Sequence, residues 1–311
     1  MYAARWLAAG LLLAAGFTAS AQDDNWNGFD LTGLALPREG LANGGQPRDG
    51  IPALDAPKFS PGKETGVGFE ERVVGVVIGG VARAYPRSVL IWHEVVNDRI
   101  GEQPFVLVYS PLSGTVAAFD SRSGDATDRF GVSGLVYNSG TLLFDRASSS
   151  LWLPLEGVAI AGPRAGDRLP AIVATETSWA DWLTRHPDTA VMTAETGHQR
   201  PYGQDPYADY LSNSELRFPA GTPDARYHPK EPVLIVAHQG KYRAYPFAEL
   251  AKHDAPFTDA FAGQTWRIDF NYADQRALVT DADGKPVPAA TEYWFAWHAG
   301  HPKDFVYTAP R

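Results

Sequence analysis

Val81-Ala82-Arg83-Ala84-Tyr85-Pro86-Arg87-Ser88-Val89-Leu90 returns as Lys241-Tyr242-Arg243-Ala244-Tyr245-Pro246-Phe247-Ala248-Glu249-Leu250, at an offset of 160 residues, with Arg-Ala-Tyr-Pro in both copies. Just upstream, Val73–Ile78 is a strand-like apolar run. Gly79-Gly80 supplies a tight turn and Val81–Tyr85 the returning strand, which together read as a β-hairpin. Pro86 suits the first turn of a helix, where its missing N–H costs nothing. Val89, Trp92 and Val96 then recur at helical spacing, so the pattern predicts a short helix over Pro86–Val96.

The correspondence extends outward from this core. His253-Asp254 stands opposite His93-Glu94, and one inserted residue later Trp266–Phe270 falls opposite Phe105–Tyr109. Thr115–Asp120 matches Arg276–Asp281, and each copy closes with an aromatic segment and a His-Pro pair: Trp179–Trp182 before His186-Pro187, and Trp294–Trp297 before His301-Pro302. The closing pairs are 115 residues apart rather than 160, so the first copy holds the excess as an insertion at about 121–175. Within it Gly134–Asn138, Leu142–Asp145 and Ser150–Leu153 read as short strands, and an insertion that distinguishes two copies is a reasonable place to look for function. The expected architecture is an α+β, strand-dominated fold of two related copies, each a small curved sheet with one short helix. The first copy spans 65–194 and the second 233–311. A connector at 195–232, rich in Tyr, Pro and Asp, carries too many rings for a disordered linker. Residues 22–64, rich in Gly, Pro, Asn and Asp, read as an irregular arm.

The N-terminus reads as a secretory signal peptide over residues 1–21: one basic residue in Met1–Arg5, the apolar stretch Trp6–Phe17, then the small-residue triplet Ala19-Ser20-Ala21. The apolar stretch is too short to span a bilayer and Asp23-Asp24 follows at once, so a periplasmic or secreted protein with no membrane span after cleavage is expected. A hydrophobic fraction of 44%, with 12% aromatic residues, suffices for a packed core. A net charge of −9 without any dense Lys/Arg cluster makes nucleic acid a poor partner. The chain has no cysteine, so the fold relies on its core without disulfides, and thiol chemistry is excluded.

Five ordered motifs, Arg83–Pro86, Trp92-His93-Glu94 with Asn97-Asp98, Tyr109–Gly114, Ser133–Asn138 and Ser150–Trp152, resemble the bacterial family called domain of unknown function 3179. The resemblance runs from about Val73 through Tyr307 and takes in His186–Asp188, Pro206-Tyr207 and Trp294–Trp297. It implies no reaction. It does imply a contrast: members typically carry Tyr-Cys-Pro-Leu-Cys where this chain has Tyr109-Ser110-Pro111-Leu112-Ser113, and a Gln shortly after Ser-Leu-Trp where this chain has Leu153-Pro154. A thiolate pair near a histidine suits a soft metal or a redox exchange, and serine supplies neither.

The candidate site residues are therefore His93, Glu94, Tyr109, Ser110, Ser113 and, from the insertion, Asp145. His93 titrates near neutral pH beside a carboxylate, but its recurrence as His253-Asp254 favours a shared structural role, such as a cation against the carbonyls of a helix C-terminus, over ligand contact or catalysis. Ser110 and Ser113 fit a turn shaped by Pro111 and Gly114. A serine nucleophile would need a base and an oxyanion hole, and no Gly-x-Ser-x-Gly elbow occurs. His298 and His301 have ligand-like spacing without a supporting carboxylate run, so no metal and no cofactor is expected. Trp152, Trp179, Trp182, Trp294 and Trp297 read as core in preference to a stacking surface. Two functions remain open: a non-catalytic exported protein that binds a small ligand or another envelope protein, and a periplasmic enzyme or metal protein built on His93, Glu94, Tyr109, Ser110, Ser113 and Asp145.

Overall fold

The computed structural model describes residues 24–222 and 224–310; the segment read as a signal peptide lies outside the described residues. Strands dominate, and no α-helix among the described residues exceeds seven residues. The arm is not a separate layer. Its segment Leu41–Asn43, β1, pairs with a strand of the insertion, and Leu54–Asp55 and Phe59–Pro61 extend two further sheets.

The hairpin signal resolves into β2 (Arg72–Ile78) and β3 (Val81–Pro86), paired from Val73↔Pro86 to Ile78↔Val81. Gly79 and Gly80 both take positive φ, 58° and 80°, the requirement of a two-residue turn whose twist matches its strands. The helix that follows is shorter than the expected Pro86–Val96. Helix α1 covers only Arg87–Leu90, Glu94 adopts φ 59°, and Val95 opens strand β4 (Val95–Ile100). Val89 and Val96 still bury into one core with Trp92 packed against it. The helical spacing arose from a turn and a strand that deliver side chains to the same place. β-branched Val95 and Val96 favour the sheet, where they pair with β5 (Gln103–Ser110).

β5 returns through a tight turn into β6 (Thr115–Asp120). The insertion forms β7 (Phe130–Tyr137), β8 (Gly140–Asp145), β9 (Leu151–Leu153) and β10 (Val158–Ala161), a five-stranded sheet in the order β10-β9-β8-β7-β1. β11 (Ala174–Ser178) then pairs β2 and leads into α2 (Trp179–Arg185), capped by the Ser178 side chain, which accepts from the backbone N–H of Asp181. β12 (Ala190–Met192) runs parallel to β3, and the connector contributes one turn of helix, α3 (Ala208–Leu211).

The C-terminal half begins with β13 (Pro232–His238) and β14 (Lys241–Pro246), in register from Val233↔Pro246 to His238↔Lys241, followed by α4 (Phe247–Leu250). A three-stranded sheet follows: β15 (Phe257–Phe261), β16 (Gln264–Asn271) and β17 (Arg276–Thr280). β18 (Ala290–Tyr293), α5 (Trp294–Gly300) and β19 (Phe305–Val306) close the chain. The expectation of one sheet per copy does not hold. β18 pairs both with β13 and, at Thr291↔Val116, with β6, so a nine-stranded sheet runs β19-β14-β13-β18-β6-β5-β4 and on to Leu54–Asp55, with Ala171–Ile172 pairing β6 off this path as the ninth strand.

The five tryptophans are core: Trp152, Trp179, Trp182, Trp294 and Trp297 are all essentially inaccessible. Each removes roughly 150–250 Å² from water, an upper bound of about 4 to 6 kcal/mol apiece at ~25 cal/mol per Å². Helices α2 and α5 end alike. His186 and His301 sit at the C-caps, donate backbone N–H to Trp182 and Trp297, and lay their rings on the same indoles at 4.1 and 3.9 Å.

Candidate functional site

Strand alternation divides the β5–β6 turn between two faces. Tyr109 joins the core of Tyr85 and Leu107, whereas Ser110 faces the insertion. Gly114 closes the turn at φ 68°, and a Cβ there would lie 2.6 Å from the Tyr293 ring.

Both serines are fully buried. Ser110 donates to Thr141 Oγ1 (3.2 Å), which donates to Glu94 Oε2 (2.6 Å). Ser113 stands 2.7 Å from Thr115 Oγ1, which donates to Glu292 Oε1 (2.8 Å). Each serine is thus one threonine hydroxyl removed from a buried carboxylate. Burial lifts Glu94 to about 7 and Glu292 to about 8, each opposed by its threonine hydrogen bond. Since each threonine has one proton and gives it to the carboxylate, each serine donates in turn. Neither Oγ faces a base that would take its proton, as a nucleophile requires.

His93 does not join this group. Nδ1 lies 2.7 Å from the carbonyl of Pro52, which can only accept, so Nδ1 carries the proton and Nε2 accepts from the Tyr202 hydroxyl at 2.7 Å. Burial, with His198 and Arg200 nearby, pushes its pKa down to about 4. The expectation of a cationic histidine at a helix end is therefore corrected: the ring is neutral and bridges the arm to the connector. Glu94, with its left-handed backbone, points the other way toward β8. In the C-terminal half His253 also meets a tyrosine hydroxyl, Tyr307, at 2.8 Å, while Asp254 is exposed.

Asp145 lies apart from the other candidates and organises the β8–β9 turn, accepting from Ser148 N–H (2.6 Å), Ser148 Oγ (2.8 Å) and Trp152 Nε1 (2.9 Å). His298 and His301 diverge, to Asp224 at 3.2 Å and Glu156 at 3.3 Å. No group of three His, Cys, Asp or Glu side chains is placed to hold a metal ion among the described residues.

Tyr109 opens onto a feature with no sequence signal, a cleft of about 590 Å³ between the two halves. Its walls come from β2, α1, β5, β6, β11 and α2 on one side and β13, α4, β17 and β18 on the other. Val116, Leu234, Phe247 and Val279 make it largely apolar, and Arg87, Tyr109, Glu176 and Tyr293 supply polar groups. Arg72 pins the halves together, bonded to Glu176 (3.3 Å), the carbonyl of Gln275 (3.2 Å) and that of Asp274. Arg87 has only a 3.8 Å approach to Asp205. Burial raises Tyr109 and Tyr293 well above the ordinary phenol range, so both remain protonated donors. These residues come from widely separated segments that only the packed halves bring together.

No curated protein and no solved structure shows significant similarity to the chain. A family model does match, over residues 48–304, and so takes in the last part of the arm, the connector and nearly all of the C-terminal half. With most of its length covered by that match, the chain belongs to the family described as protein of unknown function (DUF3179).

Proposed function

We propose that the protein is an exported, non-catalytic binding protein that holds a small ligand in the cleft between its halves. The cleft carries this reading. Its volume of about 590 Å³ falls in the range of small-molecule sites, and its apolar walls with a few convergent polar groups have their usual make-up. At the serine turn, by contrast, the hydroxyls are committed to chains that end on Glu94 and Glu292, and both His93 nitrogens are bonded. Where the resembled pattern has two thiols, serine offers neither a thiolate ligand nor a redox pair. The residue 1–21 segment supports export to the periplasm or beyond.

Descent of the two halves from one duplicated unit supports a cleft formed where they meet. Arg83 and Tyr85 share Asp98, and Arg243 and Tyr245 share Asp259, after hairpins of the same register.

The test is a thermal-shift screen of the mature protein against a broad small-molecule set, repeated on Ala277→Trp, which fills the cleft from β17. Ligands that stabilise the wild type and fail to stabilise the variant are expected; an empty screen, or binding that ignores the substitution, rejects the reading. A second reading, proton-transfer chemistry at the serine turn, is favoured by Glu94 lying two hydrogen bonds from Ser110 and titrating near neutrality. Labelling of Ser110 by an activated phosphonate, abolished in Glu94→Gln, would establish it in place of the first.

A further inference from the structure

The cleft sits in an acidic protein of net charge −9, yet its charged lining is mostly basic. Arg72, Arg87, Arg185 and Lys285 face a single lining carboxylate, Glu176, which Arg72 already engages. Arg185 is held from outside by Asp181 at 4.0 Å, and Lys285 is exposed. Arg87 differs from these. It is half-buried, its nearest carboxylate, Asp205, is beyond hydrogen-bonding distance at 3.8 Å, and it interacts electrostatically with Tyr109, Glu176, Asp205 and Tyr293 without a hydrogen bond to any of them. Among the described residues neither phenol donates a hydrogen bond to a protein acceptor, although Tyr109 is only 3% exposed. A guanidinium edge and two phenolic O–H groups therefore converge on one apolar cleft with their donors uncommitted.

We propose that the cleft binds an organic carboxylate with an apolar body, the carboxylate at Arg87, Tyr109 and Tyr293 and the body against Val116, Leu234 and Phe247. This rests on the binding reading above. A carboxylate offers about four acceptor positions in a plane, which the fork of one guanidinium and two hydroxyls can fill, and charge-assisted bonds of this kind are about twice as strong as neutral ones. The remaining cleft cations, Arg185 and Lys285, favour the approach of an anion. A neutral ligand would desolvate Arg87 while leaving its guanidinium donors without a charged acceptor in hydrogen-bonding range. The ligand is held without any bond being made or broken.

The experiment is calorimetric titration of the mature full-length protein with octanoate, octanol and octyl phosphate, and with 4-phenylbutyrate and its alcohol. At least one carboxylate is expected to bind about 10-fold or more tightly than its matched alcohol. That preference should vanish in Arg87→Gln and shrink several-fold in Tyr109→Phe and in Tyr293→Phe, with circular dichroism unchanged. Equal binding of carboxylate and alcohol overturns the anion assignment and leaves the binding cleft standing. Tighter binding of octyl phosphate overturns the choice of carboxylate. Absence of binding by every probe, together with failure of an apolar fluorophore to enter the cleft, overturns both the assignment and the binding reading beneath it.

Discussion

Thr141 Oγ1 donates to Glu94 Oε2 across 2.6 Å, so a carboxylate without a cationic partner is held inside the protein by a neutral hydroxyl. Burial raises Glu94 from 4.5 to about 7. Between those values the folded chain keeps a proton that the unfolded chain has released. The resulting stabilisation is complete below about pH 4.5 and is lost as the pH rises through about 7. Glu94→Gln still accepts from Thr141 and is neutral throughout. It should match the wild type near pH 5 and exceed its stability near pH 8 by on the order of 3 kcal/mol, read from calorimetric melting at both pH values. A variant that melts below the wild type at the higher pH would contradict the assignment.

His93 runs in the opposite direction. Its pKa is depressed from 6.5 to about 4, so its contribution is present above 6.5 and lost as the pH falls through about 4. Nitrogen NMR shifts should report a neutral ring protonated at Nδ1 down to about pH 5. His93→Ala strands the Pro52 carbonyl and leaves the Tyr202 hydroxyl with Thr196 alone, and should cost about 1–3 kcal/mol while leaving ligand affinity in the cleft unchanged. A fall in affinity without a fall in stability would return His93 to the functional site.

The hairpins, the strands at Phe105–Tyr109 and Thr115–Asp120 and the tryptophan core were legible because turn glycines, β-branched runs and ring size act locally. The stretch from Pro86 to Val96 misled because a one-turn helix, a left-handed Glu94 and a strand converge on one core and mimic helical spacing. Of the six candidate residues, Glu94, Ser110 and Ser113 border the buried hydroxyl–carboxylate chains and Tyr109 reaches the cleft, while His93 and Asp145 tie loops down. Arg87 and Tyr293 had no signature. An arginine after a proline and a tyrosine before a tryptophan acquire a shared cleft only when β18 pairs with β6 and joins the halves.

Gly75 marks where backbone and indole meet. A Cβ at this position would lie 2.1 Å from one atom of the Trp182 ring and 2.3 Å from two others. Gly75→Ala should therefore lower stability by about 1–3 kcal/mol in urea unfolding, since β2 or the buried ring must shift to admit the methyl group. Trp182→Phe should be destabilising alone. Combined with Gly75→Ala it should recover about 1–2 kcal/mol relative to additivity, because the smaller ring releases the clash. Strict additivity would mean that the glycine is required for another reason.

Arg72 makes a separable prediction about how the halves are held. Its guanidinium joins Glu176 on β11 to the Asp274 and Gln275 carbonyls in the β16–β17 turn, and Ser178 reaches Asp274 Oδ1 at 2.5 Å beside it. Arg72→Met keeps the aliphatic stem but removes the three bonds of the guanidinium while leaving that of Ser178 to Asp274, a loss of about 2–3 kcal/mol. The loss falls on the junction and not on either core. Hydrogen exchange followed by mass spectrometry should therefore show faster exchange over Gln264–Thr280, with the insertion sheet over Phe130–Ala161 as protected as before. Affinity for the cleft ligand should fall in parallel, since β17 forms one wall. Uniformly faster exchange across both regions would mean that the halves unfold as one cooperative unit and that Arg72 stabilises the whole chain.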